Sequence, residues 1–370
     1  MVSRVLVVTN DFPTRRGGIE SFVLALCERM PADEVVVYTA SMPGDRAYDA
    51  RLPFPVHRDP TRMLLPTPAV ARRVTAVLRE SGCDRVLFGA SAPLGLLAPA
   101  LRRAGATRVV ALTHGHEVWW ARVPGAHRAL RRIGDSVDVM TFVSEWCHQR
   151  IGSALSPAAA GRMVRLSPGV DPERFHPGCG GSEMRRRLGI GPERPVVVCT
   201  GRLVARKGQD SLVRVWSEVL AACPGAMLLL VGDGPHRGTL ERMVRQRSLE
   251  GSVVLTGGVD WDEVPAYTDA GDVFAMPCRT RRHGLEAEAW GIVFLEAQAC
   301  GLPVVVGRSG GAPETLDALG RGRGRLVGAD AELRDALVGL LTERRPRDGR
   351  DAAVRWTWDG AAACLRDLWA

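Results

Sequence analysis

The sequence predicts an α/β protein made of two Rossmann-like, parallel-sheet halves in tandem. Three observations carry that prediction. Short apolar runs, each fit for a strand buried on both faces, alternate with stretches of helical spacing. The alternation occurs twice, and a Pro- and Gly-rich passage from Gly169 to Gly191 separates the two series. At 370 residues the chain is too long for one ordinary core, so two domains are expected. Halves of this kind leave a cleft, and ligands of such sheets bind outside the carboxyl ends of the strands.

In chain order, Arg4–Asn10 is a continuous apolar run and the first strand. The loop D-F-P-T-R-R-G-G (Asp11–Gly18) follows. Ile19, Phe22, Val23, Leu26 and Met30 then recur at helical spacing. Strands are expected at Glu34–Ala40, Asp84–Ala90, Arg108–Thr113, Val137–Ser144 and Met163–Pro168, with a helix over Ala69–Glu80. The second half repeats the plan at Pro195–Thr200, Met227–Val231, Ser252–Leu255, Asp272–Pro277, Pro303–Gly307 and Arg325–Val327. Ile292–Cys300 reads as a short helix that starts after Gly291 and stops at Gly301, with Pro303 beyond. Asp351–Ala370 reads as one closing helix with two tryptophans at its entry.

The formal charge of +8, mostly from arginine, favours anionic partners: phosphates, nucleic acid or anionic lipid. Nucleic acid is not expected, since the arginines are dispersed and no helix-turn-helix, zinc or RNP pattern occurs. The nine cysteines are scattered without a C-x-x-C pair, and read as buried thiols of a reducing cytosol. The start, M-V-S-R-V-L-V-V-T-N, is a buried strand rather than a signal peptide. The longest apolar stretch, Gly89–Leu101, has about 13 residues and two prolines, short of the ~20 that span a bilayer. These features leave the oligomeric state open.

The chemistry concentrates in R-R-H-G-L-E-A-E-A-W-G-I-V-F-L-E-A-Q-A-C-G, Arg281 to Gly301. Glu288 lies in its loop and Glu296 in its helix. Between them Gly291 and Ile292 present backbone N–H groups at a helix start, a natural phosphate site. G-R-L-V-A-R-K-G (Gly201–Gly208) directly follows a strand. There Arg202 can grip a diphosphate bidentately and Lys207 can act as a point charge. Gly17 and Gly18 allow close backbone approach of an anion at the first helix.

Four other patterns resolve less sharply or fall away. His114 and His116 in L-T-H-G-H-E share a face, yet no third zinc ligand follows, so substrate contact at the cleft is the expectation, with a structural role open, above all for His116. Asp260-Trp261-Asp262 resembles a metal-binding D-x-D, but Asp260 with Glu263 also reads as a capping box. G-D-G-P-H-R-G after Val231 lacks the acid a dinucleotide site needs at the next strand's end. G-R-S-G-G (Gly307–Gly311) fits a nucleophile elbow, but no histidine follows His283, so a hydrolase is excluded.

Over nearly its whole length the chain resembles the retaining GT-B transferases of glycosyltransferase family 4. The resemblance rests on G-G-I-E (Gly17–Glu20), T-H-G-H-E (Thr113–Glu117), S-P-G-V-D (Ser167–Asp171), G-R-L-V-A-R-K-G, the Glu288–Glu296 pair and W-T-W-D (Trp356–Asp359). T-N-D-F-P-T-R-R-G-G-I, T-H-G-H-E-V-W-W-A and M-P-C-R-T-R-R are most similar to actinobacterial GDP-mannose-dependent mannosyltransferases acting on phosphatidylinositol mannosides. It implies residues 1–170 as an acceptor-binding domain, 171–350 as a nucleotide-sugar domain, and 351–370 as a helix crossing back to the first.

The resemblance also implies roles. Arg202 and Lys207 bind the diphosphate and stabilise the leaving group. Glu288 holds mannose hydroxyls and Glu296 the ribose hydroxyls. Gly18 abuts the donor phosphates, Gly291 and Ile292 complete their cradle, and Val259 meets the guanine through its backbone. His114 contacts the sugar at the reaction centre, and His116 lies on the acceptor side. The implied donor is GDP-mannose and the implied acceptor phosphatidylinositol monomannoside, an anionic glycolipid, joined by an α-1,6 linkage. No cofactor or metal is expected. Another nucleotide-sugar donor or another glycolipid or polysaccharide acceptor is the alternative within the family. A lipid acceptor places the protein at the cytoplasmic face of the membrane, where Arg72, Arg73 and Arg79, with Leu64 and Leu65, offer either a basic amphipathic surface or an ordinary solvated helix face. One departure is Ala289-Trp290-Gly291 in place of a small, Gly-rich sequence; Trp290 is expected to narrow the donor or acceptor pocket.

Overall fold

The computed structural model of the chain describes residues 3–15, 17–319, 324–343 and 350–369. Its contacts divide it into two units, Met1–Pro168 with Trp358–Ala370, and Gly169–Thr357.

The first unit is built on a sheet of seven parallel strands: β1 Val5–Thr9, β2 Val35–Ala40, β3 Val56–Asp59, β4 Arg85–Phe88, β5 Arg108–Ala111, β6 Val139–Phe142 and β7 Met163–Arg165, in the order β3-β2-β1-β4-β5-β6-β7. Every residue of β1 and β2 is buried, which is why these strands read as unbroken apolar runs rather than as alternation. The strand order reverses between β1 and β4. Loops after those strands therefore open at the point where such sheets hold ligands.

The second unit has six parallel strands: β8 Val196–Thr200, β9 Met227–Val231, β10 Val253–Gly257, β11 Val273–Met276, β12 Val304–Gly307 and β13 Gly324–Val327, in the order β10-β9-β8-β11-β12-β13. Here the reversal falls between β8 and β11. Trp216, on the helix Gln209–Ala222, is wholly buried in this core.

Three features differ from the sequence reading. V-H-R-D forms the edge strand β3, which was not expected: only Asp59 of its four residues is buried, so it carries no apolar signal. The closing segment is not one helix. A short helix Arg350–Ala353 ends before Trp358–Asp367, because Thr357 pairs with Val170 in a parallel bridge and Trp356 accepts the Val170 N–H at 2.7 Å. Arg73 is not free to face lipid: its guanidinium holds buried Asp59 bidentately, at 2.8 and 3.1 Å. Leu64 is also buried, whereas Leu65 and Met63 are exposed. Among the described residues, no helix is long and apolar enough to cross a membrane.

Candidate active site

In the second unit the loops after β8 and β11 meet at the point of strand reversal. β8 delivers the chain into Gly201–Gly208. Gly208 is left-handed at φ 79°, and a Cβ there would lie 2.0 Å from the Pro277 carbonyl oxygen. Only glycine lets this loop cross the end of β11. The loop tightens into a 3-10 turn, Ala205–Lys207, and that turn sets two cations side by side. Lys207 Nζ lies 3.0 Å from Glu288 Oε2, and Arg206 Nη1 donates to the same oxygen at 2.5 Å. Burial alone would raise the Glu288 pKa, but the two cations outweigh it and hold the carboxyl below its usual range. Lys207 is the chain's single lysine; every other basic side chain in the sequence, histidines aside, is arginine.

The structure thus sets Lys207 against Glu288 and adds Arg206, a neighbour to which G-R-L-V-A-R-K-G gave no role beside Arg202 and Lys207. Arg202 itself is exposed, and its guanidinium pairs with no carboxylate among the described residues. It remains available to an incoming anion.

Ser309 has an unexpected part. Its hydroxyl accepts the Glu288 N–H at 3.1 Å, while the Glu288 carbonyl accepts the Gly311 N–H at 2.9 Å. The G-x-S-x-G turn that resembled a nucleophile elbow is the clamp that positions Glu288.

The helix Ile292–Ala299 starts from Gly291, held at φ 93° and ψ 68°. A Cβ at Gly291 would lie 2.6 Å from two ring carbons of Phe294. The Phe294 N–H is taken by the Gly291 carbonyl at 3.0 Å, while the N–H groups of Gly291 and Ile292 ahead of it can receive an anion. One turn on is Glu296, 4% exposed. Its carboxylate makes no side-chain hydrogen bond among the described residues. Burial pushes its pKa up to about 7, with Arg174 and Lys207 pulling the other way. A buried acid without a partner is costly, and such a group is a candidate to receive a ligand's donors. Arg174 is fixed by the Trp261 carbonyl at 3.0 Å and Asp262 at 3.1 Å, over the Trp261 ring.

Two sequence expectations change in this unit. Trp290 does not line a pocket: it is 3% exposed, packs on Trp356 at 5.4 Å, and its carbonyl accepts the Thr315 hydroxyl at 2.8 Å. Asp260 begins a 3-10 turn through its backbone carbonyl, which takes the Glu263 N–H at 3.0 Å; no side-chain cap bond forms, and the Glu263 carboxylate pairs with Arg187. Val259 lies beyond β10, half buried.

In the first unit, β5 leads into T-H-G-H-E. His114 Nε2 is 2.7 Å from the Gly89 carbonyl, which can only accept, so Nε2 carries the proton and Nδ1 is the acceptor. Burial lowers the His114 pKa, against the pull of Glu117 and Gly89. The neutral ring packs edge-on against Phe22, at 5.0 Å, and Phe22 in turn against Trp358. Glu117, which sequence reasoning quoted but gave no role, organises this loop. It is fully buried; Oε2 takes the N–H groups of His114 and Gly115 at 3.0 and 3.1 Å, and Oε1 takes the Ser91 hydroxyl at 3.2 Å. His116 is exposed, 3.3 Å from the same carboxylate. Gly18 is the exposed first residue of the helix Gly18–Cys27, and a Cβ there would meet nothing within 4 Å. Among the described residues no three His, Cys, Asp or Glu side chains gather to hold a metal.

Comparison with known proteins adds three findings. Residues 16–174 match the family model described as Glycosyltransferase Family 4, and residues 182–348 the one described as Glycosyl transferases group 1. The GDP-mannose-dependent alpha-(1-6)-phosphatidylinositol monomannoside mannosyltransferase of Mycolicibacterium smegmatis is 47% identical, over 98% of this chain and 97% of that protein. The GDP-mannose-dependent monoacylated alpha-(1-6)-phosphatidylinositol monomannoside mannosyltransferase of Corynebacterium glutamicum is 41% identical, over 96% and 95%. Anabaena HepE, solved with UDP and glucose, superposes at a TM-score of 0.80 with 19% identity, over 99% of each chain, a likeness of fold alone.

Proposed function

The chain belongs to glycosyltransferase family 4, and from that premise we propose that it transfers mannose from GDP-mannose to phosphatidylinositol monomannoside, forming an α-1,6 linkage with retention at the anomeric carbon. The observation that carries this reading is the 41–47% identity, over nearly the full chain, to relatives with that activity.

The second unit's geometry supports a nucleotide-sugar site. A diphosphate entering beside the first turn of Ile292–Ala299 competes for Lys207 and Arg206. Their release frees Glu288 oxygens for mannose hydroxyls, while Glu296 takes the ribose hydroxyls. Glu288, engaged by the mannose hydroxyls, is not placed as the nucleophile of a double displacement, and family resemblance supports attack from the face the diphosphate leaves. The departing phosphate accepts the acceptor's proton, and catalysis is positioning plus charge stabilisation by Arg202, Lys207 and the helix start. We assign no metal to this scheme, because these cations carry the neutralisation. For His114, family resemblance supports contact with the mannose through the free Nδ1. Gly18, Val259 and His116 keep the roles that resemblance gives them.

The lipid acceptor requires contact with the cytoplasmic face of the membrane. With Arg73 bound to Asp59, the groups supporting that contact are exposed Met63 and Leu65 with Arg62, Arg72 and Arg79. Donor identity is tested by thermal shift with GDP-mannose, UDP-glucose and UDP-N-acetylglucosamine. GDP-mannose is expected to stabilise most; a larger shift from a UDP-sugar would move the chain to another member activity of the family.

A further inference from the structure

The far end of the donor helix carries a feature that sugar transfer does not use. Cys300 follows the last turn of Ile292–Ala299, and its N–H donates to the Glu296 carbonyl at 3.1 Å. Its thiol is fully buried, yet its sulfur lies only 3.9 Å from that of Cys179, 121 residues away in sequence. Cys179 sits on the strap between β7 and the helix Gly181–Arg187. Asp269 pins that strap, its two oxygens taking the N–H groups of Gly178 and Gly181 at 3.1 and 2.8 Å. Gly181 packs so closely on the Asp269 backbone that a Cβ would lie 2.4 Å from its carbonyl oxygen. The Cys179 thiol also reaches the Pro265 carbonyl at 3.4 Å. The two sulfurs are therefore neighbours held by packing on both sides.

The two thiols are not equivalent. Cys179 is half-buried and reachable, whereas Cys300 is enclosed. Contact with the Cys300 thiol pulls the Cys179 pKa down, against the effect of burial, while the same contact and burial push the Cys300 pKa up. A reachable thiol poised toward thiolate beside a sheltered partner is the arrangement of an attacking and a resolving cysteine.

We propose that Cys179 and Cys300 form a redox modification site, closing to an intramolecular disulfide under peroxide and thereby weakening nucleotide binding. The Cys179 thiolate attacks one peroxide oxygen; the O–O bond breaks, Cys179 becomes a sulfenic acid, and the released hydroxide takes a proton to leave as water. Cys300 sulfur then attacks Cys179 sulfur. The S–S bond forms as the S–O bond breaks, and the hydroxyl leaves with the Cys300 proton as a second water. Two thiols give up two electrons in total, and hydrogen peroxide is reduced to two waters.

Closure brings the sulfurs from 3.9 Å to about 2 Å, so strap and helix end must approach each other. That displacement acts on Glu296, whose carbonyl is bonded to Cys300 and whose carboxylate feels Arg174 at the strap's start. A shift of this size at a positioned ligand group is expected to weaken binding at least about tenfold.

The effect on binding rests on the donor-site reading; the crosslink does not. Purified protein is treated with hydrogen peroxide, mapped by peptide mass, and titrated with GDP before and after oxidation and again after dithiothreitol. The expected result is a Cys179–Cys300 peptide, GDP affinity lowered at least about tenfold, and recovery on reduction. Cys179→Ser and Cys300→Ala are expected to bind GDP normally and to keep that affinity under peroxide. Cys179 passing to sulfinic acid without a crosslink, or both thiols surviving peroxide, overturns the proposal. A crosslink that leaves GDP affinity unchanged overturns its regulatory half. Reduced protein that fails to bind GDP at all counts against the donor-site reading instead, with the crosslink still read by mass.

Discussion

Replacing Glu296 with glutamine should make the ligand-free protein more stable and the nucleotide site worse. The substitution keeps the side chain's shape and removes its ionisation. In the folded protein burial raises this carboxyl from 4.5 to about 7. The native state therefore holds the proton more tightly than the unfolded chain. Wild-type stability falls as pH rises from 4.5 to about 7 and levels off above, by ~3 kcal/mol in all. Glu296→Gln escapes that loss. The two proteins should match at pH 4.5, and at pH 8 the variant should be more stable by up to ~3 kcal/mol, a rise of roughly 6–12 °C in Tm for a unit of this size. Thermal unfolding at the two pH values reads this directly. GDP binding should move the opposite way, because losing charge-assisted bonds to two ribose hydroxyls costs about 1.5–3 kcal/mol, roughly ten- to a hundredfold in affinity. A variant no more stable than wild type at pH 8, or a gain that persists at pH 4.5, refutes the reasoning.

Other outcomes follow from the same geometry. Lys207→Ala should lose at least about 2 kcal/mol of transition-state stabilisation in kcat/KM, and Lys207→Arg should not restore it, since a planar guanidinium cannot replace a compact ammonium beside Arg206; near-normal turnover in either variant sinks the assignment. Gly291→Ala forces a side chain into left-handed backbone against the Phe294 ring, and should cost about 1–3 kcal/mol in denaturant unfolding and weaken GDP binding. An unchanged unfolding midpoint would show that the helix start is looser than drawn. Trp290→Ala should cost ~3–5 kcal/mol of stability while leaving the preference among nucleotide sugars intact; a changed preference in transfer assays would return Trp290 to the pocket.

Strands buried on both faces were legible because nothing polar interrupts them, as in Val5–Thr9 and Val196–Thr200. Edge strand Val56–Asp59 was not, since its residues alternate with solvent and one carboxylate is claimed by Arg73 and Tyr38. The closing helix broke where Thr357 meets Val170, a long-range pairing no local pattern carries. Lys207 and Glu288 could be named from spacing. Arg206 could not, because only the 3-10 turn brings neighbours 206 and 207 to one oxygen. Ser309 and Glu117 were visible only as motif members; their work is to hold Glu288 and His114, and that depends on contacts across loops. Trp290 was misread for the same reason: its partner Trp356 lies far along the chain.

The most direct measurement is transfer itself. Purified protein is supplied with radiolabelled GDP-mannose and phosphatidylinositol monomannoside, and the product's linkage is determined. Label is expected in a dimannoside with an α-1,6 bond, dependent on the monomannoside and strongly reduced in Lys207→Ala. Label appearing only in another acceptor, a β linkage, or full transfer by Lys207→Ala would contradict that expectation.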